Sequence, residues 1–174
     1  MKQKILVPLD GTTFGESILP KLQTLVFDNA PGADVEVTLL RVISTVNFNV
    51  LTDNKAAQLP ISADDLEDIT KKEQQYLDSV AGKLRSNTVA VMTRIVVGNA
   101  AEEIVKVGKE IKANLIAMSS HGRTGIIRWA IGSVTDRVMR LEGTIPVLAV
   151  HPTDGIEGNQ VLDMNSLHNL VHHI

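Results

Sequence analysis

The chain has 174 residues, 44% of them hydrophobic, enough for one core of ordinary size with a remainder too small for a second domain. A net charge of -3 and 3% aromatic residues argue against nucleic-acid binding, which shows a basic excess or a set of stacking rings. The absence of cysteine excludes disulfides, thiolate catalysis and Cys-ligated metal centres. Every apolar run is shorter than the ~18 residues of a membrane span, and the short stretch after Met1-Lys2-Gln3-Lys4 lacks a secretory cleavage site. A soluble, cytoplasmic chain with no membrane partner is therefore expected.

Lys4 to Leu9 is a continuous apolar run closed by Asp10-Gly11, as in a strand covered on both faces. Ile18, Leu19, Leu22, Leu25 and Val26 recur at helical spacing, and Pro20 either sits in the first turn of a helix starting near Glu16 or kinks a longer one. Val35 to Ile43 is a second strand, and Ser44 to Pro60 has no period and reads as a loop. A helix capped by Ser62 carries Leu66, Ile69, Tyr76, Leu77, Val80 and Leu84 on one face. Val89 to Val97 is the third strand, Ala101 to Ile111 a helix, Leu115 to Met118 the fourth strand, Val134 to Leu141 a helix, and Ile145 to Val150 the closing strand. Buried strands alternating with helices predict a parallel, doubly wound α/β sheet over residues 1–152. Residues 153–174, with three histidines, have no place in that pattern and read as a tail.

Ligands of such sheets sit beyond the carboxyl ends of the strands, where strand order reverses. Two of those ends are unusual. The first strand ends in Pro8-Leu9-Asp10-Gly11-Thr12, and the fourth in Ser119-Ser120-His121-Gly122-Arg123-Thr124-Gly125. The second stretch continues to Gly132-Ser133-Val134-Thr135 at a helix start. Gly122, Gly125 and Gly132 let backbone N–H groups approach a ligand, the helix N-terminus adds positive potential, and residues 121–135 contain Arg123 and Arg128 but no acid. A donor-rich anion site follows. The chain has no G-x-x-x-x-G-K-[ST], no G-x-G-x-x-G after the first strand and no G-x-S-x-G, which excludes a Walker NTPase, a nicotinamide dinucleotide fold and an α/β-hydrolase elbow.

Met118 to Gly125, then six intervening residues and Gly132-Ser133, resembles the G-x2-G-x9-G-[S/T] signature of ATP-binding universal stress proteins. Pro8 to Thr12, Gly98-Asn99-Ala100-Ala101-Glu102-Glu103 and Pro146 to Val150 resemble that family in order and spacing, and the likeness covers about residues 3–151. The resemblance implies an adenine nucleotide alpha hydrolase-like sheet of five parallel strands in the order 3-2-1-4-5. It implies that Asp10 faces the ribose, that backbone at Val42 reads the adenine, and that Gly122, Gly132 and Ser133 hold the phosphates of ATP, or of AMP or ADP, with Mg or Mn. Pro8, Leu9, Thr12, Met118, Ser119, His121, Arg123, Val134 and Thr135 complete the implied nucleotide site. It implies a homodimer through antiparallel pairing of strand Pro146 to Val150, whose apolar edge invites pairing in any case. Ser119 departs from the signature's first glycine, and if that position needs φ > 0 the serine costs roughly 1 kcal/mol or more.

Local readings stand beside these. Ser133 and Asp136 match a helix capping box that needs no ligand. Asp10 suits a turn or a helix cap, Arg123 and Arg128 suit solvated loop charges, and Trp129 suits the core. His168, His172 and His173 have metal-ligand spacing or are simply solvated. No nucleophile with an orienting base is apparent, Ser120 and His121 being sequence neighbours that point apart. A regulatory ATP-binding protein with slow or no turnover is expected; a nucleotide-independent dimeric interaction protein of the same fold and a nucleotidyl-transferring enzyme are the alternatives.

Overall fold

The computed structural model describes residues 2–27, 34–44, 63–86, 88–120 and 132–151. Five strands, β1 (Gln3–Leu9), β2 (Val35–Ile43), β3 (Val89–Val97), β4 (Leu115–Ser119) and β5 (Val147–Val150), form one parallel sheet in the order β3-β2-β1-β4-β5. The helices are α1 (Thr13–Glu16), α2 (Ile18–Leu22), α3 (Ala63–Leu84), α4 (Ala100–Ile111) and α5 (Ser133–Leu141). The tail, the cap expected at Ser62 and the loop expected up to Pro60 lie outside the described residues. Among the described residues no helix is long and apolar enough to cross a membrane.

Strand alternation builds two cores. Ile5, Val7 and Leu9 point with Val35, Val37 and Leu39 to one face, against Ile18 and Leu22 of α2 and Leu77 and Val80 of α3. Leu6, Leu40, Val42, Ile116 and Met118 point to the other, against Ile104 and Val107 of α4 and Val138 of α5. Consecutive buried residues along β1 are what a doubly covered strand requires.

Most boundaries agree with the sequence pattern, and the differences have local causes. Pro20 is the third residue of α2, where its missing N–H leaves the Glu16 carbonyl without its helical donor; the helix breaks at Ser17 and resumes at Ile18. One π-helical turn, Gln23–Phe27, then follows. Asn99 caps α4, its side chain accepting from the Glu102 N–H at 3.4 Å. β5 starts at Val147 rather than Ile145, because Thr144 and Ile145 belong to a turn organised by Glu142.

Glu142 ends α5 with its side chain at 0% exposure. Its Oε1 accepts from Thr144 N at 2.9 Å, Thr144 Oγ1 at 2.7 Å and Ile145 N at 3.0 Å. Burial alone would raise the carboxyl's pKa, but the Thr144 and Ile145 donors and the Lys109 ammonium, 3.8 Å from Oε2, outweigh it and hold the group below the usual carboxylate value of 4.5. A carboxyl depressed in the folded state adds stability that is fully present above its unfolded value and is lost as pH falls through the lower folded value. Glu142→Gln is therefore expected to flatten the acid limb of the melting temperature against pH below about 4.5. Thermal scans of both proteins check this, and superimposable acid limbs would contradict it.

Candidate functional site

Between β1 and β4 the ladder covers only Ile5↔Leu115 and Leu6↔Ile116, although β1 runs on to Leu9 and β4 to Ser119. The carboxyl ends of the two central strands thus leave the ladder before they end, at the place where strand order reverses. Such a crevice is where open α/β sheets take ligands.

Asp10 stands at the end of β1, where Gly11 turns the chain at φ 80. Its Oδ1 accepts from the Thr12 N–H at 3.0 Å and from Thr12 Oγ1 at 2.7 Å. Thr12 in turn is the N-cap of α1, its Oγ1 accepting from the Gly15 N–H at 3.0 Å. The turn-and-cap reading of Asp10 accounts for one oxygen. Oδ2 is buried and has no hydrogen-bond partner among the described residues. An orphaned buried acceptor in a native fold calls for a partner beyond the described residues.

Across the crevice, Ser119 is buried in extended backbone. The non-glycine residue with positive φ among those described is Lys112, so the strain conditionally expected at Ser119 does not arise. Its carbonyl accepts from Thr135 Oγ1 at 3.0 Å, and its hydroxyl accepts from Ser17 Oγ at 3.4 Å. The Ser120 N–H donates to Val150 O at 2.7 Å, while the Ser120 carbonyl accepts from the Gly132 N–H at 2.6 Å, pinning α5 to the end of β4.

The N-cap of α5 is Gly132, with no side-chain cap, and Ser133 is the first helical residue. The capping box expected from Ser133 and Asp136 does not form: with Gly132 at the cap, Asp136 lies one position too late for that role, and it pairs with Arg140 at 2.9 Å. The opening N–H groups of α5, at Ser133, Val134 and Thr135, are those that an α-helix leaves without internal partners. They are available to an anion.

The structure thus gathers Asp10, Thr12, Ser119, Gly132, Ser133, Val134 and Thr135 around one crevice. Leu9 and Met118 lie there too, but their side chains belong to the two cores, so they offer backbone only. Pro8 is half-buried in β1. Val42 is also a core side chain; β2 continues to Ile43 after its last β1 pair, Leu9↔Arg41, which puts the Val42 backbone beyond that pairing. His121, Gly122 and Arg123 lie outside the described residues, as do Gly125, Arg128 and Trp129. Open concavities of about 470 and 450 Å³ lie elsewhere, between α4 and α5 and between α2 and the end of α3, and none of these residues lines them.

Four neighbours of the crevice escaped the sequence reading. Gly15 packs so closely that a β-carbon there would overlap the Asp10 carboxylate; a glycine inside a helical run is the available signal. Arg41 is buried and paired with Glu73, and the signal was a charge inside an apolar strand. Tyr76 buries its hydroxyl nearby. Its pKa is pushed well above the ordinary value of 10.0, first by burial and then by the negative charges of Glu16 and Asp10, so it stays a neutral phenol.

A sequence model of the universal stress protein family matches residues 1–151. Universal stress protein MJ0577 of Methanocaldococcus jannaschii is 30% identical over 161 residues, 86% of this chain and 95% of its own length. Its solved structure superposes with a TM-score of 0.69 at 26% identity, covering 88% of this chain and 98% of that one. A family protein from Arabidopsis thaliana, solved with AMP bound, shares the fold at a TM-score of 0.57 and 15% identity, over 91% of this chain and 97% of that one.

Proposed function

The chain belongs to the universal stress protein family, and from that premise we propose that it binds an adenine nucleotide, ATP in first place, in the crevice between β1 and β4. The observation that carries this reading is the buried second oxygen of Asp10, left without a partner among the described residues, across the crevice from a helix start that no side chain of those residues caps. In this reading Asp10 takes the ribose hydroxyls and the backbone beyond the last β1–β2 pair, at Val42, takes the adenine. Gly122, Gly132 and Ser133, with the opening N–H groups of α5, take the phosphates. Residues 121–135 contain no acid, so Mg or Mn would ride on the phosphates and hydroxyls rather than on protein carboxylates.

The role that fits is regulatory, within a stress response and with slow or no turnover. Ser120, the one hydroxyl beside His121, is buried, with its backbone committed to Val150 and Gly132. The extended backbone at Ser119 removes the strain that favoured a nucleotide-independent protein. Calorimetric titration with ATP and Mg²⁺ tests the proposal: the wild type should release heat, and Asp10→Ala should bind at least about tenfold more weakly, as loss of a charge-assisted hydrogen bond would produce. Neither heat nor a thermal shift for the wild type at millimolar ATP would overturn it.

The same reading takes the protein as a homodimer through the free edge of β5, the last strand of the sheet. Light scattering should give twice the chain mass of 18.9 kDa, and a monomer at micromolar concentration refutes the pairing.

A further inference from the structure

Arg41 stands on β2 opposite Leu9, the last residue of β1, and is only 7% exposed. Its guanidinium is clamped from α3 by Glu73: Nε donates to Oε2 at 2.6 Å and Nη2 to Oε1 at 2.9 Å, the two parallel bonds of a bidentate pair. The remaining Nη1 reaches the Leu9 carbonyl at 3.4 Å. A β-carbon built on Gly11 would come within 3.7 Å of Nη2, so the planar group lies against the turn that has Asp10 at its centre. A rigid fork fixed by a helix at one edge and touching a strand end at the other can hold that turn in place.

We propose that the Arg41–Glu73 pair is a positioning device for Asp10, bracing the turn at residues 9–11 so that the carboxylate is held ready for the ribose. The inference rests on the nucleotide reading for its purpose, but the bracing itself is a property of the chain. Arg41 and Glu73 act through Asp10 and need not touch the nucleotide. Two links transmit the effect: Asp10 Oδ1 to Thr12, and Thr12 to the Gly15 N–H. Their amides therefore report on whether the turn is held.

The test compares the wild type, Glu73→Gln, which keeps an acceptor, and a double variant, Arg41→Met with Glu73→Met, which removes both charges without stranding either. Two readouts are taken: amide exchange at Thr12 and Gly15 by NMR, and titration with ATP, 2′-deoxy-ATP and GTP. In the double variant these amides should exchange about tenfold faster, as the loss of one hydrogen bond's protection predicts. Its preference for ATP over 2′-deoxy-ATP should collapse while its preference for ATP over GTP survives, and Glu73→Gln should lie between. Unchanged exchange and unchanged ribose preference in the double variant overturn the proposal. If the wild type binds no nucleotide, the nucleotide reading falls and the exchange arm decides the bracing by itself: faster exchange supports it, unchanged exchange overturns it.

Discussion

Replacing Gly15 by alanine is expected to weaken nucleotide binding by at least an order of magnitude and to destabilise the fold, although alanine is the better helix former. Inside a helix, Gly→Ala is worth about 0.5–1 kcal/mol in favour of alanine. At Gly15 the added β-carbon would fall within the van der Waals shell of Asp10 Oδ1 and lie 3.2 Å from its Cγ and 3.4 Å from its backbone nitrogen. A free carboxylate would swing aside at little cost, but this one is bonded to both the N–H and the hydroxyl of Thr12. Losing hydrogen bonds to a charged group costs about 1.5–3 kcal/mol each, which exceeds the propensity gain. Gly82, on the exposed side of α3, supplies the contrast, since nothing lies within 4 Å of a β-carbon there. Gly82→Ala should raise stability by up to about 1 kcal/mol. Thermal unfolding of both variants, with ATP titration of Gly15→Ala, decides the matter; two stabilising shifts of equal size would show that the Asp10 carboxylate is not confined.

The parts of the fold that were visible in the sequence are those with local causes. β2 and β3 begin and end where the apolar pattern places them: β2, covered on both faces, is buried at nearly every position, whereas β3, at the sheet edge, starts with alternating buried and exposed residues. The crevice was legible from the abrupt change to small and polar residues at the ends of β1 and β4. What local pattern does not encode is a partner far along the chain. Glu73 lies 32 residues from Arg41, and nothing in VEVTLLRVI shows that its arginine is clamped rather than solvated. Ser133 was misread for a smaller reason of the same kind: its spacing to Asp136 suits a cap, yet the bond from Gly132 to Ser120 sets the helix start one residue earlier and leaves the cap position to glycine. The loop expected to carry His121, Gly122 and Arg123 lies outside the described residues, so the proposed phosphate side of the site rests on α5 and on the signature.

Glu73→Ala is expected to cost about 3 kcal/mol, whereas the double replacement Arg41→Met with Glu73→Met should stay within about 1 kcal/mol of the wild type. The order looks inverted, the larger change doing the smaller damage, but it follows from desolvation. Two charges held in a largely dry place gain from each other roughly what they lost on leaving water, so removing both together changes little. Removing one leaves the other to bear its burial alone. Side-chain exposure is 9% for Arg41 and 22% for Glu73, so water reaches the acid more readily than the base, which places the single-variant penalty at the lower end of the 3–5 kcal/mol range typical of broken buried pairs. Arg140 and Asp136, an exposed pair one helical turn apart on α5, form the control, and Asp136→Ala should scarcely move the unfolding midpoint. Urea unfolding of all four proteins tests the ordering. If Glu73→Ala were no worse than the double variant, the guanidinium would have found water once its partner was gone. It would then be too loosely held to brace the turn that carries Asp10.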